Sequence, residues 1–420
     1  MAAAVESVAS SEYGRVVASV IGTVNDWAIA EDAVQDALAR ALYRWKQEGV
    51  PTNPAAWVTT VARRRAIDLV RHEQAERRAL SRLDFEIVPD AEESVSDLGF
   101  PRGDERLQLI FTACHPALTL EARAALTLRT VLNVSVDDLA TLFAVTADAM
   151  QKRLVRARAK IKHAGIPYRV PDSSQMAARS ESVCEVLSGL FTIAYADPTG
   201  RAQAAEEAIR LARVCCQLLP TDSTERLEFE GLLALLLLQH SRRAARTSED
   251  GQAVQFELQD RALWVQDEVA EGLYVLDTAL KRAAYAKVAG GRQLVRAAIA
   301  AEYVRPLQSD GIDHERIADI YEVLEQLDQS PFVTLNRAIA VANAGRVEDA
   351  LGLVDTIAVA LRGHHLHAAV RGDLLRRLHR TEEAAIEFRA AADAAPSDRE
   401  RHTYLSQVAL LGPDAAHAHT

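Results

Sequence analysis

Three features of the 420-residue sequence predict an all-α fold. Hydrophobic residues make up 49% of it but aromatic residues only 5%, a balance rich in Ala and Leu and poor in the rings that favour strands. Apolar residues recur at helical spacing along most of the chain, and no strand-like alternation appears through residues 175–410. At roughly 100–200 residues per domain, the length predicts two to four helical domains. The longest apolar run, Leu232 to Leu238, is far short of the ~20 residues that span a bilayer. The N-terminus lacks the basic-then-apolar order of a signal peptide. A cytoplasmic protein with no membrane partner is expected.

Taken in order, residues from Glu6 to about Arg44 read as two helices with a break near Gly22–Asn25. The breakers Gly49, Pro51, Asn53 and Pro54 follow, and Pro54 can open a helix running to about Arg78. These three helices form a predicted domain over residues 6–80. Residues 81–103 hold six acids against two arginines, without apolar periodicity, and read as an acidic linker. A second helical cluster spans 104–166, closed by Gly165, Ile166 and Pro167. A third region, 172–412, consists of amphipathic stretches rich in Ala, Leu and Arg. Within it GRVEDAL (Gly345–Leu351) recurs as HRTEEAA (His379–Ala385), 34 residues later. Ala340 pairs with Leu374, Ala344 with Leu378 and Val354 with Phe388 at the same offset. That period is the tetratricopeptide signature, so a solenoid with a concave binding groove is expected here.

Charge separates the two halves. Residues 1–169 carry 22 basic and 22 acidic side chains, which leaves the whole net charge of −11 on residues 170–420. Inside the neutral half, residues 148–169 hold seven Lys/Arg against the single acid Asp148. This stripe lies in the string VSVDDLATLFAVTADAMQKRLVRARAKIK, residues 134–162. Val136, Leu139, Ala140 and Phe143 line a short helix, and the Thr146 hydroxyl is placed to cap the next one. There Met150, Leu154, Ala157 and Ile161 form an apolar stripe at i, i+4, i+7 and i+11. The pattern is a helix-turn-helix. Gln151, Lys152 and Arg153, near the start of its second helix, are placed for base edges, and Arg156, Arg158 and Lys160 for phosphates. A solvated basic face is the alternative.

A second constellation, NPAAWVTTVARRRAIDLVRHEQAERR (residues 53–78), sets Asn53 and Trp57 beside Arg63, Arg64, Arg65 and Arg71. Indole next to guanidinium suits an unpaired strand, with bases stacked on the ring and cations on the phosphates. Trp57 is equally well placed as a core anchor. In a third, AEDAVQDALARALYRW, Asp32 and Asp36 stand at i,i+4 with Gln35 between them, on a helix whose Val34, Leu38 and Leu42 repeat at the same spacing. This face fits a basic partner or simply water.

Together and in this order, the three strings resemble bacterial sigma factors of the extracytoplasmic-function group, over about residues 6–165. The resemblance implies two small helical sigma domains, region 2 and the region 4 helix-turn-helix, followed by a tetratricopeptide-like α-solenoid. It implies that Asp32, Gln35, Asp36 and Leu38 bind core RNA polymerase, with Leu38 where the group often has phenylalanine. Asn53, Trp57, Arg63, Arg64, Arg65 and Arg71 fall in the segment that reads the minus-ten element, with Arg64 in place of a frequent asparagine. Thr146, Gln151, Lys152, Arg153, Arg156, Arg158 and Lys160 fall in the reader of the minus-35 duplex. The implied partners are core polymerase, promoter DNA and an unidentified ligand or protein for the repeat groove.

No Gly-rich phosphate loop, nucleophile elbow or paired-carboxylate arrangement is visible, so no enzyme activity and no cofactor are expected. His364, His365 and His367 lack the companions of a metal site and read as surface or packing residues, and His115–Pro116 reads as a bend. Cys114, Cys184, Cys215 and Cys216 fit neither a metal-ligand spacing nor a disulfide framework, and are expected to be buried thiols. The rival reading is a stand-alone helix-turn-helix regulator with a tetratricopeptide sensor domain.

Overall fold

In the structure, a computed structural model, residues 2–81, 105–143, 145–196, 202–247, 254, 256–305 and 311–411 are described. All but the first residue of the predicted acidic linker lies outside them. The regular elements among the described residues are helices, and none of these is long and apolar enough to cross a membrane. The chain divides into two compact units, Met1–Phe229 and Glu230–Thr420.

The first unit begins with α1 (Ala2–Ser7), a π-turn (Val8–Glu12) and α2 (Tyr13–Val24), followed by α3 (Trp27–Glu48) and α4 (Pro54–Ser81). Helix α2 is buried along most of its length, with Val17, Val20 and Ile21 fully enclosed. It ends because Asn25 adopts the left-handed conformation (φ 49°) and its N–H bonds the Ile21 carbonyl at 2.7 Å. Asp26 then caps α3, accepting from the amides of Ala28 at 3.0 Å and Ile29 at 3.2 Å. The apolar faces of α3 (Ala30, Val34, Ala37, Ala41, Trp45) and α4 (Val58, Ala62, Ala66) complete this core.

Next come α5 (Glu105–Ala113), α6 (Leu120–Leu132), α7 (Val136–Leu142) and α8 (Ala147–His163). Ser135 caps α7 reciprocally: its hydroxyl accepts from the Asp138 amide at 3.0 Å and donates to the Asp138 carboxylate at 2.6 Å. Thr146 caps α8, accepting from the Ala149 amide at 3.2 Å. Met150, Leu154, Ala157 and Ile161 are all buried, so the stripe read from the sequence faces inward.

Two further helices, α9 (Ser173–Ala196) and α10 (Ala202–Leu218), belong to the same unit. The Ser182 hydroxyl donates to the Cys114 carbonyl at 2.7 Å, Arg179 donates to the Phe111 carbonyl, and Arg210 reaches the Leu132 carbonyl at 3.3 Å. Arg123 on α6 answers with an ion pair to Glu185 at 3.2 Å. All four cysteines are buried where these helices meet. Burial pushes the Cys114 thiol up to about 11. It raises Cys215 well above the ordinary thiol range, with Cys216, Cys184 and Cys114 adding to the effect. The unit boundary therefore lies well beyond residue 172, where composition changes.

The division falls inside α11 (Thr224–His240). The second unit continues with α12 (Gln266–Ala286), α13 (Arg292–Val304), α14 (His314–Leu327), α15 (Pro331–Asn343), α16 (Val347–Thr356), α17 (His365–Arg377), α18 (Thr381–Asp393) and α19 (Asp398–Leu410). One apolar core runs from Ile299 through Ile317, Leu324, Val341 and Leu374 to Phe388. The 34-residue spacing is written into the hydrogen bonds of two turns. Gly345 and His379 both have positive φ, 91° and 59°. The following amides, Arg346 and Arg380, bond back to Val341 at 3.1 Å and Leu375 at 2.9 Å. Arg377 donates to the Asn343 side chain at 2.9 Å, joining equivalent positions of successive hairpins. His364 caps α17, His365 bonds the Tyr404 hydroxyl at 3.0 Å and His367 bonds the Val354 carbonyl at 3.1 Å, all packing roles.

Candidate nucleic-acid and polymerase surfaces

Three surfaces of the first unit carry the residues singled out by sequence. On α3, Asp32 is exposed and Leu38 is buried. Gln35 donates to the Tyr13 hydroxyl at 3.3 Å and to the Asn133 side chain at 3.4 Å. Asp36 pairs with Arg65 of α4 at 2.8 Å, which ties an acid expected at the polymerase to a cation expected at DNA.

On α4 the Asn53 carbonyl group of the side chain caps the helix, accepting from the Ala56 amide at 3.0 Å. Trp57 is half-buried and meets Trp45 edge-on, ring centroids 5.5 Å apart. Arg63 donates to the Ser19 hydroxyl. Arg64 and Arg71 are exposed, and with Trp57 they recur every seven residues, so the three share one face of α4. The ring is thus both packed and at the margin of a cationic strip.

On α8, Gln151, Lys152, Arg156 and Lys160 are exposed. Lys152 pairs with Asp148 at 2.7 Å while both stay largely in water, a contact of little energetic weight. Arg153 lies over the Phe143 ring at 5.6 Å. Arg158 is different: its guanidinium is turned inward, and its Nη2 donates to both Glu31 oxygens at 2.7 and 2.6 Å.

Glu31 is the residue that sequence reasoning passed over. Its side chain is 6% exposed and also faces Arg129 of α6 at 3.6 Å. Burial drives its carboxyl upward, against the opposing pull of Arg158 and Arg129. The signal was present: Glu31, Val34, Leu38, Ala41 and Trp45 all lie on the buried stripe of α3, so a charge there requires a partner. Beside it Lys162 pairs with Asp26 at 3.0 Å, and the Tyr168 hydroxyl donates to the Ala18 carbonyl at 3.1 Å. Gly14 lets α2 approach α6 closely, since a Cβ there would stand 2.6 Å from the Val131 carbonyl oxygen. Among the described residues no group of His, Cys, Asp and Glu is arranged to hold a metal ion.

Comparison with known families gives these surfaces a common origin. Residues 9–76 match Sigma-70 region 2 and residues 108–161 match Sigma-70, region 4. Residues 179–280 match a family of unknown function, DUF6596. The chain is 37% identical over 394 residues to "Uncharacterized protein R00370" of Rhizobium meliloti (strain 1021), with 92% of this chain and 91% of that protein covered. The capped helix-turn-helix, the cationic strip on α4 and these matches lead to one conclusion: the chain belongs to the sigma-70 family of transcription initiation factors, as an extracytoplasmic-function type sigma factor with a helical C-terminal extension.

Proposed function

We propose that this protein directs core RNA polymerase to a defined set of promoters and that its C-terminal helical repeats regulate that activity. The α3 face around Asp32 and Gln35 docks on polymerase. The strip of Trp57, Arg64 and Arg71 captures the melted minus-ten strand, aided by Asn53, Arg63 and Arg65. The exposed face of α8, with Gln151, Lys152, Arg153, Arg156 and Lys160, enters the minus-35 major groove, and Thr146 fixes the start of that helix. The observation that carries this reading is the pairing, in one compact unit, of a cationic and aromatic helix face with a capped helix-turn-helix whose outer face is basic.

Regulation by the second unit is supported by its 34-residue hairpin spacing, which suits a tetratricopeptide-like scaffold. It is supported too by a cavity of about 590 Å³ among α11, α13, α14 and α15, lined by Arg242, Arg296, Tyr303, Tyr321 and Asn336. Its size is that of a small-ligand site. The chain itself does no covalent chemistry in this scheme.

The test is multi-round transcription on genomic fragments with core polymerase, with and without the protein. Discrete, salt-sensitive transcripts that need both components are expected, because a molecule of net charge −11 is repelled by DNA until polymerase orients its basic faces. Asp32→Ala and Gln35→Ala should lower transcript yield. Tight, specific operator binding without polymerase, unaffected by those two substitutions, would instead establish a stand-alone regulator.

A further inference from the structure

The cavity of the second unit carries one more step, which rests on the reading of that unit as a ligand-responsive scaffold. Along α13 the lining residues Arg296, Ile299, Ala300 and Tyr303 recur at i, i+3, i+4 and i+7, so a whole helix face is given to the cavity. Its floor is apolar: Leu238, Ile299, Leu324 and Val333 line it and are all buried. Its charge runs against its surroundings. Residues 230–420 carry 28 acidic and 21 basic side chains, yet among the described residues the cavity is lined by two arginines, Arg242 and Arg296, and by no acid. A cleft lined by one sign of charge concentrates the opposite sign, so this one selects an anion. An inorganic anion would leave the apolar floor uncovered, and the anion must therefore bring an apolar body.

Two clusters divide the work of holding it. In the first, Asp328, which Arg296 shares with Arg292, takes one Nη2 donor of Arg296 at 3.4 Å, a long contact for a group with five donors to give. Tyr321 stands close to Arg296. Burial pushes its phenol upward against the pull of that guanidinium, so the hydroxyl keeps its proton at neutral pH and can donate it. Among the described residues, neither the Tyr321 hydroxyl nor the Asn336 carboxamide has a hydrogen-bond partner. In the second cluster Phe256 meets Tyr303 edge-on, ring centroids 5.0 Å apart, and the Arg242 guanidinium lies over the Phe256 ring at 4.7 Å. Such a wall of rings suits an aromatic body packed edge to face.

We propose that this cavity binds a small aromatic monocarboxylate. Arg296, Tyr321 and Asn336 hold the carboxylate, and the ring lies on the apolar floor toward Phe256 and Tyr303. Arg242 braces the ring wall and adds to the positive potential. A volume of about 590 Å³ accommodates one such molecule.

The test titrates the full-length protein calorimetrically, without polymerase, using four matched probes: 2-naphthoate, its neutral amide 2-naphthamide, the cation 2-naphthylmethylammonium and the saturated acid decahydro-2-naphthoate. Naphthoate is expected to bind one site per chain, about tenfold tighter than the amide, the worth of one charge-assisted hydrogen bond. It should bind about threefold tighter than the saturated acid, and the cation should not bind. Arg296→Met should bring acid and amide to the same affinity while leaving that of the amide in place, a result that general damage to the fold would not give. Tyr321→Phe should weaken the acid more than the amide, and Ala300→Trp, which fills the cavity, should remove both. No binding of naphthoate, equal binding of acid and amide, or a preference that survives Arg296→Met would overturn the proposal. Should Arg296→Met fail to fold, the preference in the unaltered protein and its loss in Tyr321→Phe decide. Transcription with core polymerase, with and without saturating naphthoate, is the separate arm. No transcripts in either case would sink the sigma-factor reading and unchanged transcripts the regulatory one, while the titration decides the site on its own.

Discussion

Tyr13 shows how one side chain can bind two helices and leave a solution signature. Its ring is fully buried and its hydroxyl accepts from Gln35. Burial, with Glu31 nearby, pushes the phenol up to about 12. The folded state therefore keeps a proton that the unfolded chain releases near pH 10. Between about pH 10 and 12 stability must fall as pH rises, by roughly 2–3 kcal/mol from this group. Tyr13→Phe should flatten that part of the stability-versus-pH curve in urea titrations, and a slope equal to that of the unaltered protein would refute the assignment. At this scale the sequence was readable wherever chemistry is local. The Thr146 cap was legible because its hydroxyl acts three residues away. The fate of Arg158 was not, because Glu31 lies 127 residues earlier and no spacing rule connects them. A hint existed: Arg158 stands four residues from Leu154 and beside Ala157, at the edge of the buried stripe.

Among elements, the recognition helix depends on how it starts. The Ala149 amide gives its hydrogen to Thr146 Oγ1, and losing such a cap costs about 1 kcal/mol. Thr146→Ala should accelerate hydrogen exchange at Ala149 about fivefold, with Thr146→Ser close to the parent. Asn53→Ala should do the same at Ala56 for α4. The Thr146 loss would weaken promoter binding by loosening the helix start alone, whereas the Asn53 loss would also remove a group placed at the minus-ten strand. Helix existence and the inward stripes of α7 and α8 were plain in the sequence, since periodicity is set by burial. The two-sided use of α4 was not, because Arg63 and Arg65 turn to Ser19 and Asp36 while Arg64 and Arg71 stay outside. Consecutive arginines look alike in a sequence, but successive positions on a helix point in different directions.

For the whole molecule, the break at Pro171 marks a change of composition, whereas packing continues through α10. A chain ending after Pro171 should expose the surface around Phe111, Cys114 and Leu132 and behave as an aggregating or partly molten species. One ending after Pro220 should stay monomeric with a cooperative unfolding transition. Size-exclusion chromatography and near-ultraviolet circular dichroism would distinguish them, and two equally well-folded products would contradict the packing described. Regulatory experiments on the repeats belong with the longer truncation: higher transcription than the full chain would mean inhibition by the second unit, lower transcription a required contribution. The sequence could not mark this limit, because long-range burial between α5, α6, α9 and α10 leaves no periodic trace that differs from that of any other amphipathic helix.

The meeting of Cys114 with Cys184, Cys215 and Cys216 has a consequence for descent. A tail that shares its interior with the promoter-reading half cannot be traded between lineages at the obvious proline. Residues 173–218 must be inherited with the partner they lie against, and substitutions on either side of that thiol-lined contact should covary among relatives, even where the repeats beyond have diverged freely.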